Sequence, residues 1–370
     1  MTAALGADAA LKHRSTDNGI EPMLSTATAI APPSLDTLLD GFTARPAAPG
    51  LDAALETLMR SLCGSHYDAL PLPGQGRTLQ RWQTLARVAG CDLGLAKLYE
   101  GHTDALAILA ECAPTSFARE GIWGVWASEP PDARARIVAR DGDQVRLGGR
   151  KAWCSGALQI DRALITAWDG DDRPQLVAID LKHSTQRVTT QGWQAVGMAS
   201  TASIEIDFDH SPGIAIGAPG QYLDRPGFWQ GGGGIAACWY GAAEALARYL
   251  REHCRKPQAD AHAQAHLGAA DVALQGARLA LHDCARWIDR HPAANAELPV
   301  RRTRAVVEAA AGDVIRHVGR ALGATPFCRS GHFARLSADL PVYLRQSHAE
   351  RDLAALGQHL AGTVSEDWSL

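Results

Sequence analysis

Residues 144–156 read Gln-Val-Arg-Leu-Gly-Gly-Arg-Lys-Ala-Trp-Cys-Ser-Gly. Polar and apolar side chains alternate over Gln144–Leu147, between an Asp141-Gly142 turn and a Gly148-Gly149 turn. That two-residue period is the signature of a half-buried strand. It recurs at Ser203-Ile-Glu-Ile-Asp-Phe208, where one face is expected to be buried and the other wet. Between these stretches, Ala163–Trp168 and Gln175–Leu181 are apolar runs joined by Asp169-Gly-Asp-Asp-Arg-Pro174, the pattern of a β-hairpin. Residues 121–222 are therefore expected to form a small antiparallel β-barrel or sandwich.

On both sides of this zone the period becomes helical. Within 34–120, Leu35, Leu38 and Leu39 share one face, as do Leu51, Leu55 and Leu58. After a turn-rich break at Pro71–Gly76, helices are expected over Leu79–Ala89, Leu93–Glu100 and Ala105–Cys112. Within 223–370, long runs rich in Ala and Leu predict helices over Phe228–Cys254, Ala261–Arg290, Arg302–Leu322 and Ala338–Leu360. Pro257, Pro292 and Pro326 fall in or near the gaps, where helix breakers belong. Four long helices with short connections read as a four-helix bundle. Residues 1–33 read as a flexible tail and carry no basic segment followed by an apolar run. The fold class is thus α+β, with an N-terminal helical domain (34–120), a middle β domain (121–222) and a C-terminal helical bundle (223–370).

Composition narrows the function. The 370 residues are 46% hydrophobic and 21% charged, with a net charge of −4, which excludes wholesale disorder. No run reaches the roughly 18 apolar residues of a membrane span, and the charge balance provides no general attraction to nucleic acid. The eight cysteines include no Cys-x-x-Cys pair, which argues against a structural zinc site or a disulfide framework. A reduced, cytoplasmic setting is expected. His262 and His266 share a helix face but lack a third ligand, so no metal site is expected. Gly231–Gly234 has neither the preceding strand nor the Lys-Ser/Thr of a phosphate-binding loop; it reads as a place where a helix approaches a ligand or another helix closely. Arg301-Arg302-Thr303-Arg304 reads as a solvated basic run.

Four segments together resemble the acyl-CoA dehydrogenase family of FAD flavoproteins. Val125-Trp-Ala-Ser-Glu-Pro130 resembles the family's strand ending in Thr-Glu-Pro. Gly149-Arg-Lys-Ala-Trp-Cys-Ser-Gly156 is similar to its Gly-x-Lys-x-Trp-Ile-Thr/Ser segment. Gly197-Met-Ala-Ser-Thr-Ala-Ser203 resembles its strand pair, and Asp224-Arg225-Pro226 matches the start of its first bundle helix. The resemblance covers roughly residues 121–357. It implies FAD between the β domain and the bundle, with Trp153 against the isoalloxazine and the Ser155 hydroxyl near N5. Trp126, Ala127 and Ser128 would face the pyrimidine end, and Gly323, in a reduced glycine turn, the adenosine end. Homodimers or homotetramers are implied through the bundle.

The implied reaction is α,β-desaturation of an acyl-CoA or acyl-carrier thioester, passing electrons to a flavoprotein or to oxygen. A base must take the α-proton. Asp224 matches the position of the catalytic Glu in some members, although a residue beside Pro226 also suits a helix N-terminus. Arg225 matches an arginine near the acyl pocket. The usual C-terminal Glu corresponds to Ser347, in the substrate region, and His348 is the second candidate base. Ser347 and the absence of a glycine-rich loop after Pro130 also suit a monooxygenase of the same superfamily, which uses reduced flavin and oxygen without a carboxylate base. A non-catalytic member that binds a ligand or partner is the third reading.

Overall fold

The computed structural model describes residues 33–43, 50–113, 120–182, 185–362 and 368. The tail expected over 1–33 lies outside them except for Pro33. Helices α1 (Leu35–Thr43), α2 (Leu51–Gly64), α3 (Thr78–Cys91) and α4 (Leu93–Cys112) come first. The two helices expected within 93–112 are one continuous helix. Asp92 caps it by accepting the Leu95 amide at 3.1 Å, and no breaker interrupts the run.

Seven strands follow: β1 (Trp123–Trp126), β2 (Ala135–Asp141), β3 (Gln144–Ser155), β4 (Arg162–Trp168), β5 (Pro174–Asp180), β6 (Gln186–Val188) and β7 (Ser203–Ile216). The ladder β4-β2-β3-β7-β5 closes because β5 pairs back onto β4. This closure leaves a small barrel without open edges along that path. The sheet is mixed rather than purely antiparallel: β1 and β2 each pair β4 in parallel. Gly148-Gly149 is not a turn. The strand runs through it with a register shift between Leu147 and Gly149, and Gly149 adopts φ +90°. A Cβ there would lie 2.8 Å from the Arg134 carbonyl oxygen, so the bulge needs glycine.

The last segment holds α5 (Gln221–Asp224), α6 (Gly227–Cys254), α7 (Ala261–Arg290), α8 (Glu297–Leu322), α9 (Thr325–Arg329), α10 (Gly331–Tyr343) and α11 (Glu350–Gly362). The helix expected over Ala338–Leu360 is divided. It ends at Tyr343, tightens into a 3₁₀ turn, becomes extended at Ser347 and restarts after Ala349, which has φ +47°. Pro341 in its last turn removes one backbone donor and weakens the helix there. The basic run is not simply solvated. Arg301 bridges Glu297 and Asp352, and Arg304 donates to the Gly232 and Gln346 carbonyls.

Helix α6 packs against α3, α7, α8 and α10. One hydrophobic core joins all three segments, from Leu39 through Leu147 and Ile206 to Leu344. The α3–α6 crossing is very close. A Cβ at Gly90 would lie 3.2 Å from the Gly241 carbonyl oxygen, and one at Gly241 would collide with the Ala86 carbonyl. Gly233 and Gly234 of the same helix admit Trp82 and Leu85. No described helix is long and apolar enough to cross a membrane.

Gly241→Ala is expected to lose about 1–3 kcal/mol or more, because the methyl overpacks against backbone. Gly276→Ala, at an exposed position of α7 with open space around it, is expected to gain up to about 1 kcal/mol. Urea denaturation of both variants checks the pair.

Candidate functional site

The barrel wall at β3 is built around one buried charge. Lys151 is completely buried, and its ammonium donates to the Glu129 carboxylate, to the Thr166 carbonyl at 3.0 Å and to the Thr166 hydroxyl at 2.7 Å. Glu129 also accepts from the Thr166 hydroxyl and from Trp168 Nε1 at 3.0 Å. Burial holds the Lys151 ammonium below its usual pKa, and Glu129 opposes that shift. A charge this deep is tolerable only when every donor finds an acceptor. The network ties the chain after β1 to β3 and β4, so Ser128 and Trp153 are anchored through their neighbours.

Beyond Lys151 the ladder shifts register again before Cys154. Trp153 takes φ +61°, a left-handed conformation that costs a non-glycine residue about 1–2 kcal/mol. Its indole is turned out of the wall, 50% exposed, with Trp193 edge-on at a centroid distance of 6.3 Å. Trp193 Nε1 is buried and has no hydrogen-bond partner among the described residues. Two residues on, the Ser155 hydroxyl meets the Ser203 hydroxyl at 2.7 Å, and the Ser155 carbonyl accepts from Trp126 Nε1 at 3.1 Å.

The structure therefore brings Trp126 and Ser155 together at a recess that Lys97 and Gly101 of α4 also line. Trp153 is adjacent on β3. The recess holds only about 10 Å³, room for about one water. That recess is too small for a planar cofactor ring; the exposed Trp153 indole faces open space. The out-turned Trp153 offers a flat apolar surface there. Ser128 is exposed and Ala127 half-buried. Gly323 is the exposed C-cap of α8, with nothing near it.

The candidate bases are on the surface. Asp224 ends the short α5 with its side chain in solvent. His348 is also exposed, and its amide donates to Asp352 at 3.1 Å. Pro226, Gly227 and Arg225 explain the placement of Asp224. Arg225 turns inward to Glu111 at 2.6 Å, and this fixes the chain so that the preceding residue points out. Ser347 is buried, and its hydroxyl accepts the Ala349 amide at 3.0 Å.

Two carboxylates, Asp339, which is buried, and Asp104, which is half-buried, were assigned no role from the sequence. Asp339 of α10 accepts the Met198 amide at 2.6 Å, joining the loop before β7 to the helices. Gly197 fits there because a Cβ would strike the Ala338 carbonyl. Burial pushes the Asp339 carboxyl up to about 6; the Met198 amide opposes the shift and Asp92 adds to it. Asp104 of α4 lines a larger cavity with Glu111 and Arg225. Its carboxyl is also pushed up, by burial first, while Arg225 pulls it down. Helical spacing did not reveal either, because Asp on a helix reads as a wet face until the packing is known.

Cys63, Asp68 and His102 bring potential metal-ligand atoms within 4.8 Å of one another. His102 Nδ1 accepts the Trp123 amide at 3.1 Å, and Nε2 faces Asp68 at 3.1 Å. The proton is thus on Nε2, so neither nitrogen has a lone pair free for an ion. Burial pushes the Cys63 thiol up to about 12, which disfavours the thiolate a metal needs.

No known protein-family profile matches this sequence, and no curated protein is recognisably similar to it. Solved structures are similar in fold. FMN-bound TdsC from Paenibacillus sp. A11-2 aligns with a TM-score of 0.70 at 18% identity, over 87% of this chain and 94% of that one. Methanesulfinate monooxygenase MsuC from Pseudomonas fluorescens gives 0.69 at 18%, over 90% and 96%. A probable acyl-CoA dehydrogenase from Mycobacterium abscessus gives 0.72 at 16%, over 88% and 97%. The chain thus has the acyl-CoA dehydrogenase-like fold.

Lys151→Met should cost about 3 kcal/mol by stranding Glu129, and the double variant Lys151→Met with Glu129→Gln should recover much of it; denaturation midpoints check this. Asp339 provides a pH test. Its free value is 3.8 and its folded value about 6, so the folded state takes up the proton first. Stability is expected to rise as pH falls from about 7 towards 4, by up to about 3 kcal/mol. Asp339→Asn should flatten that rise when thermal unfolding is followed across the range.

Proposed function

We propose that this chain is a flavin-dependent oxidoreductase and, within that class, a monooxygenase that uses reduced flavin and oxygen. The flavin reading is supported by the out-turned Trp153 beside Ser155 and by the fold shared with FMN-bound TdsC. The observation that carries oxygen chemistry over desaturation is Ser347. At the position where the resemblance expects the base stands a buried serine whose hydroxyl is held by local backbone. A serine cannot take an α-proton unaided, and Asp224 and His348 both face water.

A reduced flavin, when bound, supplies the electrons with which dioxygen is divided between the substrate and water. The chain's own residues seat the ring. The Trp153 indole offers a flat apolar wall. The Ser155 hydroxyl, already paired with Ser203, offers a donor to a polar ring edge. Strain in the Trp153 backbone is consistent with a position selected for binding rather than stability. FAD, a thioester substrate and a homo-oligomer remain the proposals that the family resemblance supports.

Titration of the protein with FMN and FAD, oxidised and reduced under nitrogen, tests this reading. Tight binding of a reduced flavin, oxygen uptake after air is admitted, and no bleaching of oxidised flavin by acyl-CoAs are expected. Bleaching by an acyl-CoA would restore desaturation, and failure to bind any flavin would remove both readings. Ser155→Ala should weaken flavin binding about 3–10-fold, whereas Asp224→Asn should leave it unchanged.

A further inference from the structure

A cavity of about 340 Å³ lies between the turn at Leu72–Gln75, helix α4, the start of α6 and the turn at Pro292–Ala293. This size is within the range of small-molecule sites. Its polar wall is Asp104, Glu111, Arg225 and Gln230. Three of these make hydrogen bonds, although Arg225 Nε finds no acceptor among the described residues. Arg225 donates to Glu111 at 2.6 Å, Glu111 also takes the Gly227 amide at 3.3 Å, and Gln230 Nε2 donates to the Pro292 carbonyl at 2.9 Å.

Asp104 is different. It makes no hydrogen bond or ion pair with any described residue. Its position is nevertheless specified, because a Cβ at Gly231 would lie 2.8 Å from its Oδ1. The first glycine of the Gly231–Gly234 run thus makes room for a carboxylate, not for a ligand ring. Two carboxylates against one guanidinium leave the wall acidic. Behind it, Lys97 is paired with Glu100 at 3.0 Å, while Arg81, which donates to the Pro71 carbonyl at 3.4 Å, and Arg225 offset part of the Asp104 charge without bonding to it. Asp104 is half-buried and keeps solvent access, so a cation entering the cavity meets a carboxylate that no protein donor occupies. Leu72, Pro73, Ala107 and Ala110 supply the apolar remainder.

We propose that this cavity binds a small amine, with its protonated nitrogen against Asp104 and its apolar body along Leu72 and Ala107. The inference stands on the cavity and does not depend on the flavin reading. Burial raises the Asp104 carboxyl, as expected of an acid awaiting a cationic partner.

Benzylamine, benzyl alcohol and benzoate share size and shape and differ in the charge of the head. Their affinities for the full chain, measured by calorimetry at pH 7 and low salt, test the proposal. Benzylamine is expected to bind about tenfold tighter than benzyl alcohol, and benzoate most weakly. In Asp104→Asn the amine should fall to the level of the alcohol. Gly231→Ala should do the same by displacing the carboxylate. Equal binding of amine and alcohol, a preference for benzoate, or an amine preference that survives Asp104→Asn would overturn the proposal. Should either variant fail to fold, the ranking of the three probes on the unaltered chain decides it.

Discussion

The backbone-to-backbone contact of α3 and α6 is the constraint on which the rest of the molecule depends. It exists because Gly90 faces Gly241 and nothing larger fits over the Ala86 carbonyl. Packing at this distance replaces side-chain contacts with dense contact between main chains. It makes α6 the centre of the helical part, with α3, α7, α8 and α10 around it. The beginning of α6 is set by the same crossing. Gly231, Gly233 and Gly234 receive Asp104, Trp82 and Leu85, and Arg225, just ahead of the helix, is drawn inward to Glu111. The cavity beside Asp104 is bounded by these elements.

The barrel meets this helical frame through polar contacts. Asp92 caps α4 and pairs with Arg335 at 3.1 Å. Asp339, one helical turn further along α10, holds the Met198 amide. A buried carboxylate that accepts a backbone donor specifies one position more narrowly than apolar contact does. On the far side of the same loop stands the out-turned Trp153 with Trp193. The Lys151–Glu129 network fixes the strand that carries Trp153. Barrel integrity and exposure of the aromatic face are therefore parts of one arrangement.

Much of this was legible in the chain. Period-two stretches at Gln144–Leu147 and Ser203–Phe208 became β3 and β7, and the apolar runs around Asp169–Pro174 became a paired hairpin. The helical periods became α1 to α3 and α6 to α8. The Gly148-Gly149 pair misled because a glycine bulge inside a strand and a glycine turn between strands share a composition. The helix expected over Ala338–Leu360 ended at Tyr343, after Pro341, and restarted only beyond Ala349, whose positive φ is not written in its residue type.

The sequence by itself determined the order of helical, strand and helical segments, because periodicity records which face of each element is apolar, and that is a local property. Trp153 and Ser155 were expected at a site only through the family resemblance of the segment that carries them. Only the tertiary structure decided which charges are withdrawn, wholly or in part, from solvent. Lys151, Glu129, Asp104 and Asp339 look like ordinary surface residues in a string of letters, and Asp224 and His348 look as reactive as any of them. Desolvation and pairing arise when distant segments close over a side chain. Lys151 lies 22 residues from Glu129, and Asp339 lies 141 from Met198, so the interactions that distinguish an interior acid from a solvated one exist only in the folded molecule.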